Sequence, residues 1–417
     1  MVLLTRRRAL FGLGTFAAGV LGARCAVPRL LRHGPPRPLD GALAAQVEAC
    51  FADVDKSKLW DVHVHLVGRG VGTQAFIGHE LTDRLSLWKN LQYEIYAAAA
   101  GLSTDDDTPD AAYLERVLAL HRLANPQGKL VLLAFDQFVD EQGHEVPEKS
   151  ELYTPNEYVL EVARRNPDVI AGASVHPYRK DAMARLEGAL DGGARLVKWL
   201  PNAMGIDPRD ARCAPFYRVL AERHVPLLTH TGDEQAVDAR EAQALGHPAR
   251  LLPALEAGVI VIAAHIATSG ACVDERATIE ASDAGGGSSC FAVLRELLRQ
   301  PATEGRLFAD ISAVTQVNRA GAFLTDILAD GALHARLVNG SDYPLPAIDP
   351  LVSTRYLERV GLLSAEDRAL CNAVFAGNPL LFDYVLKRKV RAVVDGTERR
   401  FPPTVFESAR LFEGGRA

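Results

Sequence analysis

Residues 58–70, KLWDVHVHLVGRG, combine the character of a buried strand with an unexpected polar pair. Leu59, Val62, Val64 and Leu66 give an apolar run rich in β-branched residues, and glycines close it. His63 and His65 lie two apart within that run. Positions i and i+2 of a strand face the same side. Two imidazoles on one core face are costly to bury unless something binds them.

Seven further apolar runs follow: KLVLLAFD (129–136), VIAGASVHP (169–177), RLVKWLPN (195–202), VPLLTHTG (225–232), GVIVIAAHIA (258–267), RLFADISAV (306–314) and RLVNGSDYPLP (336–346). Amphipathic segments such as PNEYVLEVARRNP, DAMARLEGAL and APFYRVLAERH separate them. Strands alternating with helices imply parallel βαβ units, and continuous apolar strands imply cover on both faces. Eight such units predict an α/β fold closed into a (β/α)8 TIM barrel over residues 41–386, with reactive side chains at the C-terminal strand ends. The alternative is an open doubly wound sheet with a ligand at one switch point. No GxGxxG or GxxxxGK[ST] follows any of the runs, so a phosphate-cradling loop has no support. Two long insertions are expected, at 66–128 after strand one and at 268–289 after strand six. Both leave the reactive end and are candidates for lid or pocket elements. Residues 387–417 read as a short polar tail.

The 417 residues are 48% hydrophobic and 24% charged, ample for a large core, and a net charge of −6 gives no basic footprint for nucleic acid. Six cysteines lack metal-type spacing, although Cys272 and Cys290 flank a glycine-rich loop and could pair in an exported protein. Residues 1–40 begin with Arg6, Arg7 and Arg8 ahead of a Gly/Ala-rich apolar run. This resembles a twin-arginine export signal, with a poor cleavage region; the alternative is a basic arm on a cytoplasmic protein. The run is too short for a standard membrane span. Contact with a membrane is therefore expected only through this arm, if it is uncleaved.

The polar residues at the strand ends form a pattern. His63 and His65 end strand one, Lys198 strand four, His230 strand five, His265 strand six and Asp342 strand eight. A barrel would aim them all at one mouth. Imidazole nitrogens and a carboxylate suit zinc, and also manganese, iron or nickel. An open coordination position lowers the pKa of a bound water toward about 7. Lys198 is the weakest member, since a strand-end lysine often only snorkels or pairs with a carboxylate. His176 ends strand three but reads equally as a turn histidine before Pro177. Arg179, Trp199, Asn202 and Arg319 leave strand ends and are weaker candidates for holding an anionic or aromatic substrate.

With DVHVH, LVKWLP, LLTHTG, IAAHIA, GSDYPLP and NAVFAGNP in place, the chain resembles the amidohydrolase superfamily, most closely its amidohydrolase-2 branch of metal-dependent enzymes, over roughly 58–386. The resemblance implies that His63, His65 and Asp342 hold a buried divalent metal, with His230 as a further ligand. In two-metal relatives a strand-four lysine carboxylated by CO2 bridges the ions; Lys198 stands at that position, and His265 would ligate the second ion. In one-metal relatives His265 would bond the substrate or activate the water. Asp342 would be the general base. The expected function is hydrolysis of an amide, ester, lactone or phosphoester of a small molecule. A one-metal non-oxidative decarboxylase and a non-catalytic metal- or ligand-binding barrel are the alternatives, and a homo-oligomer is left open.

Overall fold

The computed structural model describes residues 28, 30–102, 107–272 and 288–413. Eight strands form one sheet in chain order: β1 (Trp60–His65), β2 (Lys129–Leu133), β3 (Val169–Ala173), β4 (Leu196–Trp199), β5 (Leu227–Thr229), β6 (Val261–Ala263), β7 (Leu307–Asp310) and β8 (Leu337–Val338). Every neighbouring pair is parallel. The chain after β8 returns to β1, where the Val62 amide donates to the Asn339 carbonyl at 3.0 Å and the Asp342 amide to the His63 carbonyl at 2.7 Å. The expected TIM barrel is therefore the fold, and the open sheet is excluded.

Period-two alternation divides each strand between two cores. Val62, Val131, Leu196, Leu228, Ile262 and Phe308 fill the barrel interior. Val197, Trp199, Ala263 and Ala309 face the outer layer and its helices. Two residues beyond Leu196, Leu228 and Phe308 come Lys198, His230 and Asp310, which form a polar layer above the apolar filling.

The expected insertion at 66–128 contains helices His79–Thr82, Leu87–Ala99 and Pro109–Arg122. Its strand Phe76–Ile77 pairs antiparallel with Leu152–Tyr153, so the connection from β2 to β3 also contributes to the mouth. After β6, Ala271–Cys272 pairs with Ser288–Ser289, and Cys272 is disulfide-bonded to Cys290. The rest of that loop, 273–287, and the arginine-rich arm lie outside the described residues. No helix among the described residues is long and apolar enough to cross a membrane.

The tail departs from its expected character as a polar appendage. Helix Pro379–Lys389 runs through the expected boundary at 386/387 and is buried along most of its length. Further on, Leu411 and Phe412 enter the interior cluster, where the Phe412 ring lies 4.8 Å from Trp60 at the start of β1. Arg195 donates to the Phe412 carbonyl at 2.8 Å, and the Asn339 amide donates to Ser408 Oγ at 2.9 Å. The tail closes the barrel floor, opposite the reactive mouth. Val390, Phe401, Val405 and Phe406 of the same stretch are buried in the outer core, so its many charged residues mask a set of packed apolar ones.

Candidate metal centre

Local backbone geometry sets the site. β1 has one more residue than β2 between Asp61 and Val64, a bulge that lets Val62 fill the interior while His63 still turns toward the mouth. His65 follows, and the two rings lie 5.1 Å apart. His265 and Asp342 both adopt left-handed backbone, with φ of 58° and 61°. Non-glycine residues rarely occupy that region, and such conformations cluster at functional sites. Gly340 permits the close approach of β8 to β1: a Cβ there would lie 2.8 Å from the Cβ of His63.

Hydrogen bonds fix the state of each ring. His63 Nδ1 lies 2.9 Å from Asp310 Oδ2. With its proton on that side, His63 Nε2 carries a lone pair, which accepts from Lys198 Nζ at 3.2 Å. His65 Nε2 is 3.0 Å from Asp342 Oδ1. His230 Nδ1 lies 3.1 Å from Glu234 Oε2, while its Nε2 is buried with no hydrogen-bond partner among the described residues. Ser312 Oγ donates to Asp310 and has only one proton, so at 2.7 Å it accepts from His265 Nδ1. The remaining His265 nitrogen is then also a lone-pair donor.

Burial pushes His63 down to about 4, with the Lys198 charge adding to the effect. Burial also lowers His230 and His265. Neutral imidazole is the form that ligates metals. Burial alone would raise Asp342, but the neighbouring His63, His65 and Lys198 hold its carboxyl well below the usual range. Asp310 behaves likewise, against burial, through His63, His265 and Ser312. Burial lowers Lys198, opposed by the charges of Asp310, Asp342 and Glu234.

These residues fit a divalent cation. One ligand atom from each of His63, His65 and Asp342 falls within a 4.8 Å group, and His63, His265 and Asp310 form a second such group. The first is the better cage. Asp310 already accepts from His63 Nδ1, from the amides of His265 and Ser312 at 2.9 Å each, and from Ser312 Oγ. A carboxylate so engaged orients ligands from behind, as outer-shell carboxylates of metal-binding histidines do. The His230 Nε2 lone pair, unclaimed among the described residues, adds a further ligand atom.

The centre lies beneath a cavity of about 330 Å³. His65, Lys198, His230 and Asp342 line it, and so do Tyr93, Tyr96, Leu81, Phe135, Leu152, Leu351 and Arg319. His265 is not part of its lining; its ring stacks on His63 at 5.2 Å and lies 5.1 Å from His230. Four of the weaker substrate candidates are elsewhere. His176 is packed between the Met204 carbonyl (2.8 Å) and the Tyr178 amide (3.2 Å). Arg179 is committed to Asp136 and Glu145. Trp199 faces outward, where its indole nitrogen donates to the Val175 carbonyl at 2.9 Å and its ring packs on Phe216. Asn202 ties the Gly232 and Gln243 carbonyls together at 3.1 Å each. Arg319 alone of that group reaches the cavity.

Sequence reasoning passed over Asp310, Ser312 and Glu234. The signal for Asp310 was present in LFAD, where a carboxylate stands two residues beyond the inward Phe308. Glu234, four residues after His230, had no comparable marker, because its ring contact depends on the loop that follows β5.

Solved structures with a similar course include an uncharacterized TIM-barrel protein from Bordetella bronchiseptica, with 16% identity over 79% of this chain and 99% of that chain and a TM-score of 0.45. A 4-oxalomesaconate hydratase from Rhodopseudomonas palustris matches at 14% identity over 79% and 98%, with a TM-score of 0.39. An IDCase from Metarhizium anisopliae matches at 12% over 79% and 98%, with a TM-score of 0.38. No curated protein sequence matches this chain. The amidohydrolase family model matches residues 60–381, from the first residue of β1 into helix Pro379–Lys389, and so takes in all eight barrel strands and every residue of the centre: the chain belongs to the amidohydrolase family.

Proposed function

We propose that the chain is a metal-dependent hydrolase that uses an activated water to cleave an amide, ester, lactone or phosphoester. The observation that carries this reading is the convergence of His63 Nε2 and His65 Nε2 on Asp342 beneath the cavity, with His230 Nε2 unclaimed among the described residues. When bound, a divalent metal such as zinc supplies Lewis acidity and lowers the pKa of a coordinated water. The protein's part is separable from that chemistry. Asp342, held ionised, accepts the proton of the attacking water and returns it to the leaving group. Asp310 fixes the His63 tautomer and, through Ser312, that of His265. A neutral Lys198 amine is the form that takes up CO2, so its lowered basicity favours carboxylation and a two-ion centre in which His230 and His265 also serve. The Cys272–Cys290 bond favours an oxidising compartment, in keeping with the twin-arginine-like arm.

A one-metal decarboxylase is the second reading, favoured by the buried cation Arg319 in the cavity. Zinc- or manganese-loaded protein assayed on esters, lactones, N-acyl amides, phosphoesters and unsaturated or aromatic acids separates the two. Hydrolytic turnover is expected, and Asp342→Asn should lower kcat by roughly 10²–10⁴-fold, the usual range for a proton-transfer residue. Release of CO2 from the acids with no hydrolysis in any other class would overturn the first reading in favour of the second.

A further inference from the structure

Among the side chains that line the cavity, only two carry a buried nitrogen with no hydrogen-bond partner among the described residues: His230 Nε2 and Arg319 Nε. The first belongs to the metal centre. The second, too, is unmatched among the described residues. Arg319 is 7% exposed, its one side-chain hydrogen bond among the described residues runs from Nη1 to Thr268 Oγ1 at 3.2 Å, and no carboxylate of those residues lies within ion-pair distance of it. The acidic groups whose charge reaches Arg319 are already engaged, Asp342 with His65, Glu234 with His230 and Asp310 with His63. A desolvated, unpaired guanidinium is strongly unfavourable, whereas one that meets an anion in a dry pocket is a specific fork-shaped receptor.

The other walls say what lies between the two points. Tyr96 is bonded to Gln92 and Tyr113 to the His65 carbonyl, which leaves these rings as apolar surface beside Leu81, Phe135, Leu152 and Leu351. We infer that Arg319 is the specificity residue of this cavity and that the substrate is a small molecule with an apolar or aromatic body and a carboxylate remote from the reacting group, the carboxylate pairing with Arg319. This inference rests on the proposed metal centre, because the second contact of the ligand is there. A phosphate dianion suits the site less well, since Glu151 and Glu234 also line the cavity and repel a double charge more strongly than a single one.

The test is binding, read by calorimetry on zinc-loaded protein whose metal content is measured first. The probes are benzoate, phenylacetate and 3-phenylpropionate, each against its primary amide, with phenyl phosphate as the alternative anion. At least one acid is expected to bind tenfold or more tighter than its amide and tighter than phenyl phosphate. Arg319→Gln should abolish that preference while metal content and circular dichroism stay unchanged, and Arg319→Lys should retain part of it. Equal binding of acid and amide, a preference that survives Arg319→Gln, or no binding of any probe by metal-replete protein would overturn the inference. Stronger binding of phenyl phosphate would reassign the anion. A protein that takes up no metal would instead contradict the proposed function on which the inference rests.

Discussion

Changing His63 and His65 together to alanine is expected to leave the protein folded and without bound metal. The two side chains supply two of the three atoms of the His63/His65/Asp342 ligand group, and neither belongs to the apolar filling of the barrel. Loss of one outer-shell partner of a metal ligand commonly costs 10–100-fold in affinity, so loss of two direct ligands should weaken binding by well over about 100-fold. Elemental mass spectrometry of the dialysed variant beside the wild type reads the result, with near-ultraviolet circular dichroism as the control for folding. Wild-type metal content in a folded double variant would remove these histidines from the centre.

A second large effect is expected at a residue that makes no contact with the cavity. Asp310→Asn keeps the size of the side chain but replaces an anion that accepts four hydrogen bonds with an amide that has one acceptor oxygen and two donor hydrogens. His63 Nδ1 and Ser312 Oγ then lose a charged acceptor, and the His63 and His265 tautomers are no longer fixed. Metal affinity should fall by roughly 10–100-fold, as for other outer-shell carboxylates. Stability should fall by about 1–3 kcal/mol, the range for leaving a buried hydrogen-bonding group unsatisfied. Titration of metal-stripped protein with zinc, together with denaturant melts, separates the two effects. Unchanged zinc affinity would show that Asp310 supports the barrel and not the ligands.

How much of this was legible in the sequence follows from the physics of strands. Eight apolar runs separated by amphipathic segments gave the barrel, because buried parallel strands leave a continuous apolar record. His63, His65, Lys198, His230 and Asp342 stood out because polar side chains at strand ends interrupt that record. The same alternation, applied more strictly, would have removed Trp199: it follows Lys198 by one residue and so faces the outer layer. It would also have admitted Asp310, in step with Phe308. His176, Arg179 and Asn202 failed for a different reason. Being at a strand end places a residue at the right end of the barrel, but whether a partner claims its polar atoms there is decided by the connections between strands, such as those carrying Asp136, Met204 and Gln243.

The insertions were visible as interruptions, but their contribution was not. Tyr93, Tyr96 and Leu152 become cavity walls only when helix Leu87–Ala99 and the Phe76–Ile77/Leu152–Tyr153 pair fold over the mouth. That packing joins segments that are widely separated in the chain, such as Ile77 and Leu152, and leaves no local pattern.

The central claim is that a divalent metal sits between β1 and the end of β8. Anomalous diffraction at the zinc edge, from crystals of zinc-loaded protein, tests it most directly. The expected result is a peak within bonding distance of His63 Nε2, His65 Nε2 and Asp342, with a second near His230 and His265 if Lys198 is carboxylated. Zinc found only at other sites, or none in the barrel mouth of a fully loaded crystal, would contradict the claim.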